Sequence, residues 1–460
     1  MKTIAELASA LAAGTTTAEK LTEACLAKIA DPSGEGVSSF IKVSSDTALA
    51  TARQSDKLRA LGIVPSSLAG IPISIKDLFD VRGDVTRAGS TILRDAPPAA
   101  ADAPVIERLR AAGVVIIGRT NMTEFAYGAH GINAHYGTPL NPWDRPNKRI
   151  PGGSTSGGAV SVADGMAAAT IGSDTGGSVR IPAALCGITG FKPTQARVPL
   201  QGAFPLSFTR DSIGPLGNSV ACCVLLDTVM ASPMVSDATA EPIRQVSLRG
   251  LRFGIPNTVL LDDLAAEVAA AFELAIASIS SAGGVIEEFS FSELAEEIDG
   301  SKKANFSAVE AYALHRERLI TRFNEFDPMV AKRLMFGANM MAADYVELIQ
   351  LRQRLIASAN RTTARFDALL APTVPIIAPT IAEMGHSDAN FYRLNSLLLR
   401  NCAPFNVLDR PCWSLPCHRP GAAPVGLMLV GETMQDRRLH GIALAVELAL
   451  GLAPGAALKG

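Results

Sequence analysis

Histidine is scarce in this chain and charge of neither sign dominates, and these shortages close off several classes of function. Lys and Arg number 42 against 44 Asp and Glu, a formal net charge of −2, so no basic field exists to hold a polyanion and nucleic acid is not an expected partner. No run of about 18 uninterrupted apolar residues occurs, the length a membrane-crossing helix requires. The Met1-Lys-Thr-Ile start has neither a long apolar core nor a cleavage site. A cytoplasmic protein without a membrane partner is expected. The seven cysteines are an odd number without metal-ligand spacing; Cys222 and Cys223 are adjacent, and a proline-containing segment separates Cys412 from Cys417. They read as free thiols in a reducing compartment. Among the six histidines, His130 and His135 form His-x4-His without an acidic ligand motif, so no metal is expected and both read as solvated loop residues. Nucleotide fingerprints of the form Gly-x4-Gly-Lys-Ser/Thr or Gly-x-Gly-x-x-Gly are missing ahead of any helix, and no cofactor is expected. Gly-x-Ser-x-Gly is missing around Ser154, Ser156 and Ser178, and Ser-x-x-Lys is missing at Lys76, which excludes two familiar nucleophile motifs.

What the chain does have is glycine next to serine. Gly152-Gly-Ser-Thr-Ser-Gly-Gly158 and Gly172-Ser-Asp-Thr-Gly-Gly-Ser-Val-Arg-Ile-Pro182 set two serines in separate glycine-rich turns, with a short helical run and a small-residue strand between them. Glycine permits left-handed backbone angles and lets main-chain N–H groups approach a substrate oxygen unobstructed, as an oxyanion site requires. Upstream, Lys76 ends the apolar strand pattern Ile71-Pro-Ile-Ser-Ile-Lys76. The alternation is read as placing it on the isoleucine face, where burial pushes a lysine towards its neutral form and lets it act as a base.

Apolar periodicity predicts an α/β protein with a central twisted mixed β-sheet covered by helices on both faces. Helices are expected within 3–30, at 45–61, 103–112, 155–165 and 264–282, and from 436 to 451, with a mainly helical stretch over 292–365. Strands are expected at 71–76, 113–118, 167–171, 251–255, 285–291, 367–371 and 425–430. No linker, charge block or internal repeat divides the chain, so residues 1–460 read as one domain. Its core spans about 60–220 plus 365–450, and a variable helical substrate region covers about 290–365.

Residues 71–80 and 152–190 together resemble the amidase signature family, whose members hydrolyse amides with a Ser-Ser-Lys triad. Ser154 and Ser178 stand 24 positions apart, as in that family. Further matches lie at Gly118-Arg-Thr-Asn-Met-Thr-Glu-Phe-Ala-Tyr-Gly128, Asn141-Pro-Trp143, Cys186-Gly-Ile-Thr-Gly-Phe-Lys-Pro-Thr194, Asp211-Ser-Ile-Gly-Pro215, Asp367-Ala-Leu-Leu-Ala-Pro-Thr373 and Pro424-Val-Gly-Leu-Met428, so the likeness covers nearly the whole chain. It implies Ser178 as nucleophile, Ser154 as proton relay and Lys76 as base, with an acyl-enzyme intermediate. It also implies a cis peptide bond before Ser154. The turn formed by Thr175, Gly176, Gly177 and Ser178 would supply the oxyanion hole. Asp174 and Arg180 would brace it, and Phe125, Ala126, Tyr127 and Gly128 would border the acyl pocket. Ser156 offers a third hydroxyl, but the spacing favours Ser154.

For the substrate, the 300–345 region supplies Phe306, Tyr312, Phe323, Phe326, Met329, Met335, Phe336, Met340 and Met341. These favour a small apolar or aryl carboxamide, and the segment from Phe204 to Pro215 is similar to the indoleacetamide and mandelamide hydrolase branch. Two rivals stay open: the glutaminase component of an amidotransferase, of the A type, working with a partner protein, and a non-catalytic binding protein. A homodimer is the assembly left open. Because free lysine titrates near pH 10.4, a Lys76 base implies a lowered pKa and best activity under mildly alkaline conditions.

Overall fold

The computed structural model describes residues 2–232, 243 and 245–451. Eleven strands of these residues form one sheet: β1 Phe40–Val43, β2 Pro72–Lys76, β3 Val115–Thr120, β4 Ala169–Asp174, β5 Thr189–Lys192, β6 Ser212–Gly217, β7 Arg252–Pro256, β8 Val285–Phe289, β9 Ala368–Pro372, β10 Cys412–Pro416 and β11 Gly426–Val430. The order is β1-β3-β2-β4-β6-β5-β10-β11-β9-β7-β8. Two parallel groups, β3-β2-β4 and β8-β7-β9, are joined through antiparallel β6, β5, β10 and β11. Helices flank this mixed sheet, as the periodicity predicts.

Every strand anticipated from the sequence has a counterpart within a few residues, and the 292–365 stretch is helical at Ser292–Lys303, Phe306–Arg322, Pro328–Leu334 and Ala342–Thr363. The pattern misses four strands: β1, β5, β6 and β10. Two glycines and a proline interrupt β6, Ser-Ile-Gly-Pro-Leu-Gly, and such residues weaken a strand reading. Its pairing instead comes from tertiary position: β4 runs against it over six residue pairs, from Ala169↔Gly217 to Asp174↔Ser212.

One sequence argument needs correcting. Lys76 is fully buried, yet not because it shares a face with isoleucine. Side chains alternate along a strand, so Lys76 shares its face with Ser74 while Ile73 and Ile75 point the other way. Ser74 Oγ lies 2.9 Å from Ser161 Oγ on the helix Ser156–Ala163. Both faces of β2 are covered, and all five of its residues are buried. This is the usual condition of a parallel strand between parallel neighbours.

Candidate active site

Crevices at the carboxyl ends of parallel strands are where α/β sheets hold ligands, and β2 and β4 end side by side. The register Ile75↔Ile171 brings Lys76, the last residue of β2, to the level of Gly172 and Ser173. Lys76 Nζ donates to Ser154 Oγ at 2.7 Å and to Ser173 Oγ at 2.9 Å. Burial pushes its pKa down to about 7, against the opposing pull of Asp174 and Asp211. A lysine of this kind is available as a neutral amine near physiological pH.

Ser154 sits where the chain turns into the helix Ser156–Ala163, and the Gly153–Ser154 peptide bond is cis. The turn is packed without slack: a Cβ at Gly153 would lie 2.6 Å from the Gly131 backbone nitrogen. Thr155 N–H donates to the Ser178 carbonyl at 3.3 Å, so the two serine turns are joined directly. Ser156 is buried as well, but its hydroxyl reaches the Asn121 carbonyl at 3.4 Å rather than Lys76.

After β4 the chain wraps around the Asp174 carboxylate. Gly177 N–H donates to Oδ1 at 2.8 Å, and Val179 N–H to Oδ2 at 3.1 Å. Arg180 forms a forked pair with both oxygens, and Asn406 Nδ2 adds a contact at 2.9 Å. Burial alone would raise the Asp174 pKa, but Arg180, with Lys192 and the Asn406 amide, holds it well below the usual carboxylate range. The fully buried pair is balanced charge for charge, the condition under which such a pair is tolerated. Gly177 adopts φ +129, and a Cβ there would lie 2.5 Å from Ile181 Cδ1, so glycine is required twice over. Because the Gly177 N–H is held by Asp174, the turn's other N–H groups are those of Thr175, Gly176 and Ser178. Thr175 Oγ1 donates at 2.5 Å to Asp211, whose pKa burial pushes up to about 6.

A cavity of about 390 Å³ opens over this turn, with Thr175, Gly176 and Ser178 in its wall. Ala126, Tyr127 and Gly128 line it, but Phe125 does not. Phe125 has left-handed φ of 50°, which turns its ring into a cluster with His315, Phe204 and Phe326 at centroid distances of 4.2, 5.4 and 5.6 Å. Of the nine aromatic and methionine residues singled out above, Phe336 and Met340 reach the wall. The wall is not apolar throughout: Arg210, Lys302, Arg333, Asn305, Asn395 and three further serines also line it. The solvated-loop reading of the histidines is corrected. His130 is buried against Phe391, and burial pushes its pKa down to about 3. His135 Nε2 lies 2.8 Å from Glu124 Oε1.

Sequence reasoning missed Ser173, Asn406, Arg210 and Arg333. Ser173 and Arg210 stand inside segments already singled out, beside Asp174 and Asp211; Asn406 and Arg333 carry no local signal. All seven cysteines are free, as expected, and among the described residues no helix is long and apolar enough to cross a membrane.

A hydroxyl-bearing turn, a neighbouring serine hydrogen-bonded to a buried lysine and a set of backbone donors are the parts of a serine amide hydrolase. The Amidase family profile matches residues 20–440, and the chain belongs to that family of amidase signature enzymes. It is 35% identical over 466 residues to the A-type subunit of the glutamyl-tRNA(Gln) amidotransferase of Chloroflexus aggregans, covering 95% of this chain and 94% of that protein. It is 34% identical over 390 residues to the 2-amino-5-chloromuconic acid deaminase of Comamonas testosteroni, covering 84% and 82%. Among solved structures, an amidase superposes with a TM-score of 0.86 at 30% identity over 97% of this chain and 99% of that one. The native peptide amidase of Stenotrophomonas maltophilia gives 0.78 at 28% identity over 99% and 98%.

Proposed function

We propose that this enzyme hydrolyses the C–N bond of small carboxamides through Ser178. Its Oγ attacks the amide carbon while its proton passes by way of Ser154 to neutral Lys76, and the oxyanion is met by the N–H groups of Thr175, Gly176 and Ser178. Gly177 contributes there through its backbone conformation. The proton returns from Lys76 through Ser154 to the departing amine, and water releases the acyl group by the same relay run a second time. The observation that carries this reading is the buried Lys76, 2.7 Å from Ser154 Oγ, beside the turn that presents Ser178. The test is covalent. A fluorophosphonate should label Ser178 and no other serine; labelling at Ser154 or Ser156 would overturn the assignment.

A second reading is favoured by the relatives. The Chloroflexus protein is named as one component of a glutamyl-tRNA(Gln) amidotransferase, and the corresponding protein of Thermotoga maritima gives a TM-score of 0.77 at 28% identity. On that reading the amide is glutamine and the ammonia goes to a partner. Glutamine carries an α-ammonium, which calls for a carboxylate in the pocket, and the described cavity wall has none. Hydrolysis of glutamine, aryl amides and aliphatic amides by the purified chain alone separates the two. Turnover confined to glutamine supports the amidotransferase reading.

A further inference from the structure

Among the described residues, the wall of the cavity over Ser178 holds Arg210, Lys302 and Arg333 and no carboxylate. Arg210 belongs to the loop between β5 and β6 and is 7% exposed. One guanidinium nitrogen donates to Ser307 Oγ, while its buried Nε has no hydrogen-bond partner. Arg333, on the helix Pro328–Leu334, stacks over the Tyr127 ring at 4.3 Å and donates to the Tyr127 carbonyl at 2.6 Å. Glu297, Glu310 and Asp211 attract Arg210 through space, while among the described residues no carboxylate is among the influences on Arg333.

The acids around Arg210 accept their hydrogen bonds from other, neutral donors. Glu310 accepts from Ser207, Thr209 and Tyr345, Asp211 from Thr175, Leu206 and Ser207, and Glu297 from Ser301. They act on Arg210 only through space. Lys302, the third cation of the wall, already pairs with Asp299 at 2.7 Å. The Arg210 Nε is itself closed off from solvent, so an anion in the cavity would meet the guanidinium at its other nitrogens, and a buried guanidinium gains from a nearby anion. Arginine's fixed fork suits a carboxylate better than any neutral group. Arg210 also directly precedes Asp211, which holds Thr175 of the turn, so the cation is anchored to the same frame as Ser178.

We infer that the substrate supplies that anion. The carboxamide lies at Ser178 and a carboxylate on the same small molecule seats against Arg210 and Arg333, which makes the substrate class the half-amides of short dicarboxylic acids. This rests on Ser178 as the nucleophile.

Three amides of one chain length test it: glutaramate, the neutral 5-oxohexanamide, and glutamine, which is glutaramate with an added ammonium. Glutaramate should exceed 5-oxohexanamide in kcat/KM by about 10²-fold or more, and should exceed glutamine. Arg210→Met and Arg333→Met should each shrink the acid-to-neutral ratio at least about tenfold. Should either variant fail to fold, calorimetry with Ser178→Ala carries the test. Malonate, succinate or glutarate should bind, more weakly as salt is raised. Equal turnover of acid and neutral amides, a preference for glutamine, or no diacid binding would overturn the inference. If Ser178 still takes the fluorophosphonate in that event, only the substrate class has failed. An unlabelled Ser178 removes both this inference and the reading beneath it.

Discussion

The floor and the roof of the cavity are built by opposite rules. Between residues 151 and 194, every position is buried except Asp164, Gly165 and Gly176, and Gly176 opens onto the cavity. The helices above it leave large apolar side chains in solvent, among them Ile320, Phe323, Phe336 and Met341. In the floor, glycines are hemmed in by their neighbours, and polar side chains answer one another. A close-packed region transmits any change in volume directly to its neighbours. A half-exposed helical cover can exchange side chains at little cost to the fold. On the proposed mechanism, chemistry lies in the floor and substrate choice in the roof, with Arg210 and Arg333 in the wall between them.

The largest expected effect is in the floor. Ser178→Ala should lower kcat by about 10⁴-fold or more, and Lys76→Ala by a similar factor rather than additively with it, because relay groups act as a unit. Single and double variants assayed together check this. A residual rate within tenfold of wild type would break the assignment of chemistry to the floor.

Lys76 also gives the comparison a pH signature. With its folded pKa pushed down to about 7, the protonated form is inactive and kcat/KM should rise with pH until about 7 and then level off. Lys76→Ala should lose this limb, while His135→Asn should keep it. The sign for stability follows from the same shift. Between about pH 7 and 10.5 the unfolded chain binds the proton and the folded chain does not, so stability rises with pH across that window. Below it, the full cost of burying the charge is felt. Lys76→Met should therefore raise Tm more at pH 6 than at pH 10, and a gain independent of pH would contradict the burial argument.

Packing tests come next. A Cβ at Gly157 would lie 2.2 Å from the Ser39 carbonyl oxygen, so Gly157→Ala should destabilise by about 1–3 kcal/mol in denaturant unfolding. Phe336, 55% exposed, should cost less than about 0.5 kcal/mol when replaced by Ala while changing KM several-fold. Equal losses at the two positions would erase the distinction between floor and roof.

The smallest effect concerns the thiols. Burial raises the pKa of Cys186, Cys223, Cys402 and Cys412, leaving little thiolate to react. Mild alkylation should leave activity nearly intact. Substrate-protected inactivation would point to a cysteine near the turn.

Much of this is readable in one dimension because it is local. Strands such as β2 and β9 are short apolar runs, and the glycine-serine turns announce themselves by composition. The amidase signature spacing of Ser154 and Ser178 with Lys76 marks the residues that the fold gathers. What resists reading depends on neighbours distant in the chain. Strand β6 exists because β4 and β5 pair with it, despite its proline and glycines. His130 is buried by Phe391, and no local pattern encodes that contact. For Lys76 the alternation argument reaches burial by the wrong route, since a period of two covers one face and tertiary packing covers both.

The motifs around Lys76, Ser154 and Ser178 pointed to the class of chemistry through their resemblance to the amidase signature, which one dimension displays because each motif is a short segment. Only the tertiary structure decided the charge of the pocket. Arg210 and Arg333 lie 123 positions apart (333 − 210), and Tyr127, which Arg333 contacts, comes from a third segment. Two guanidinium groups face one cavity only once these segments are folded together, and that arrangement is a property of the folded chain.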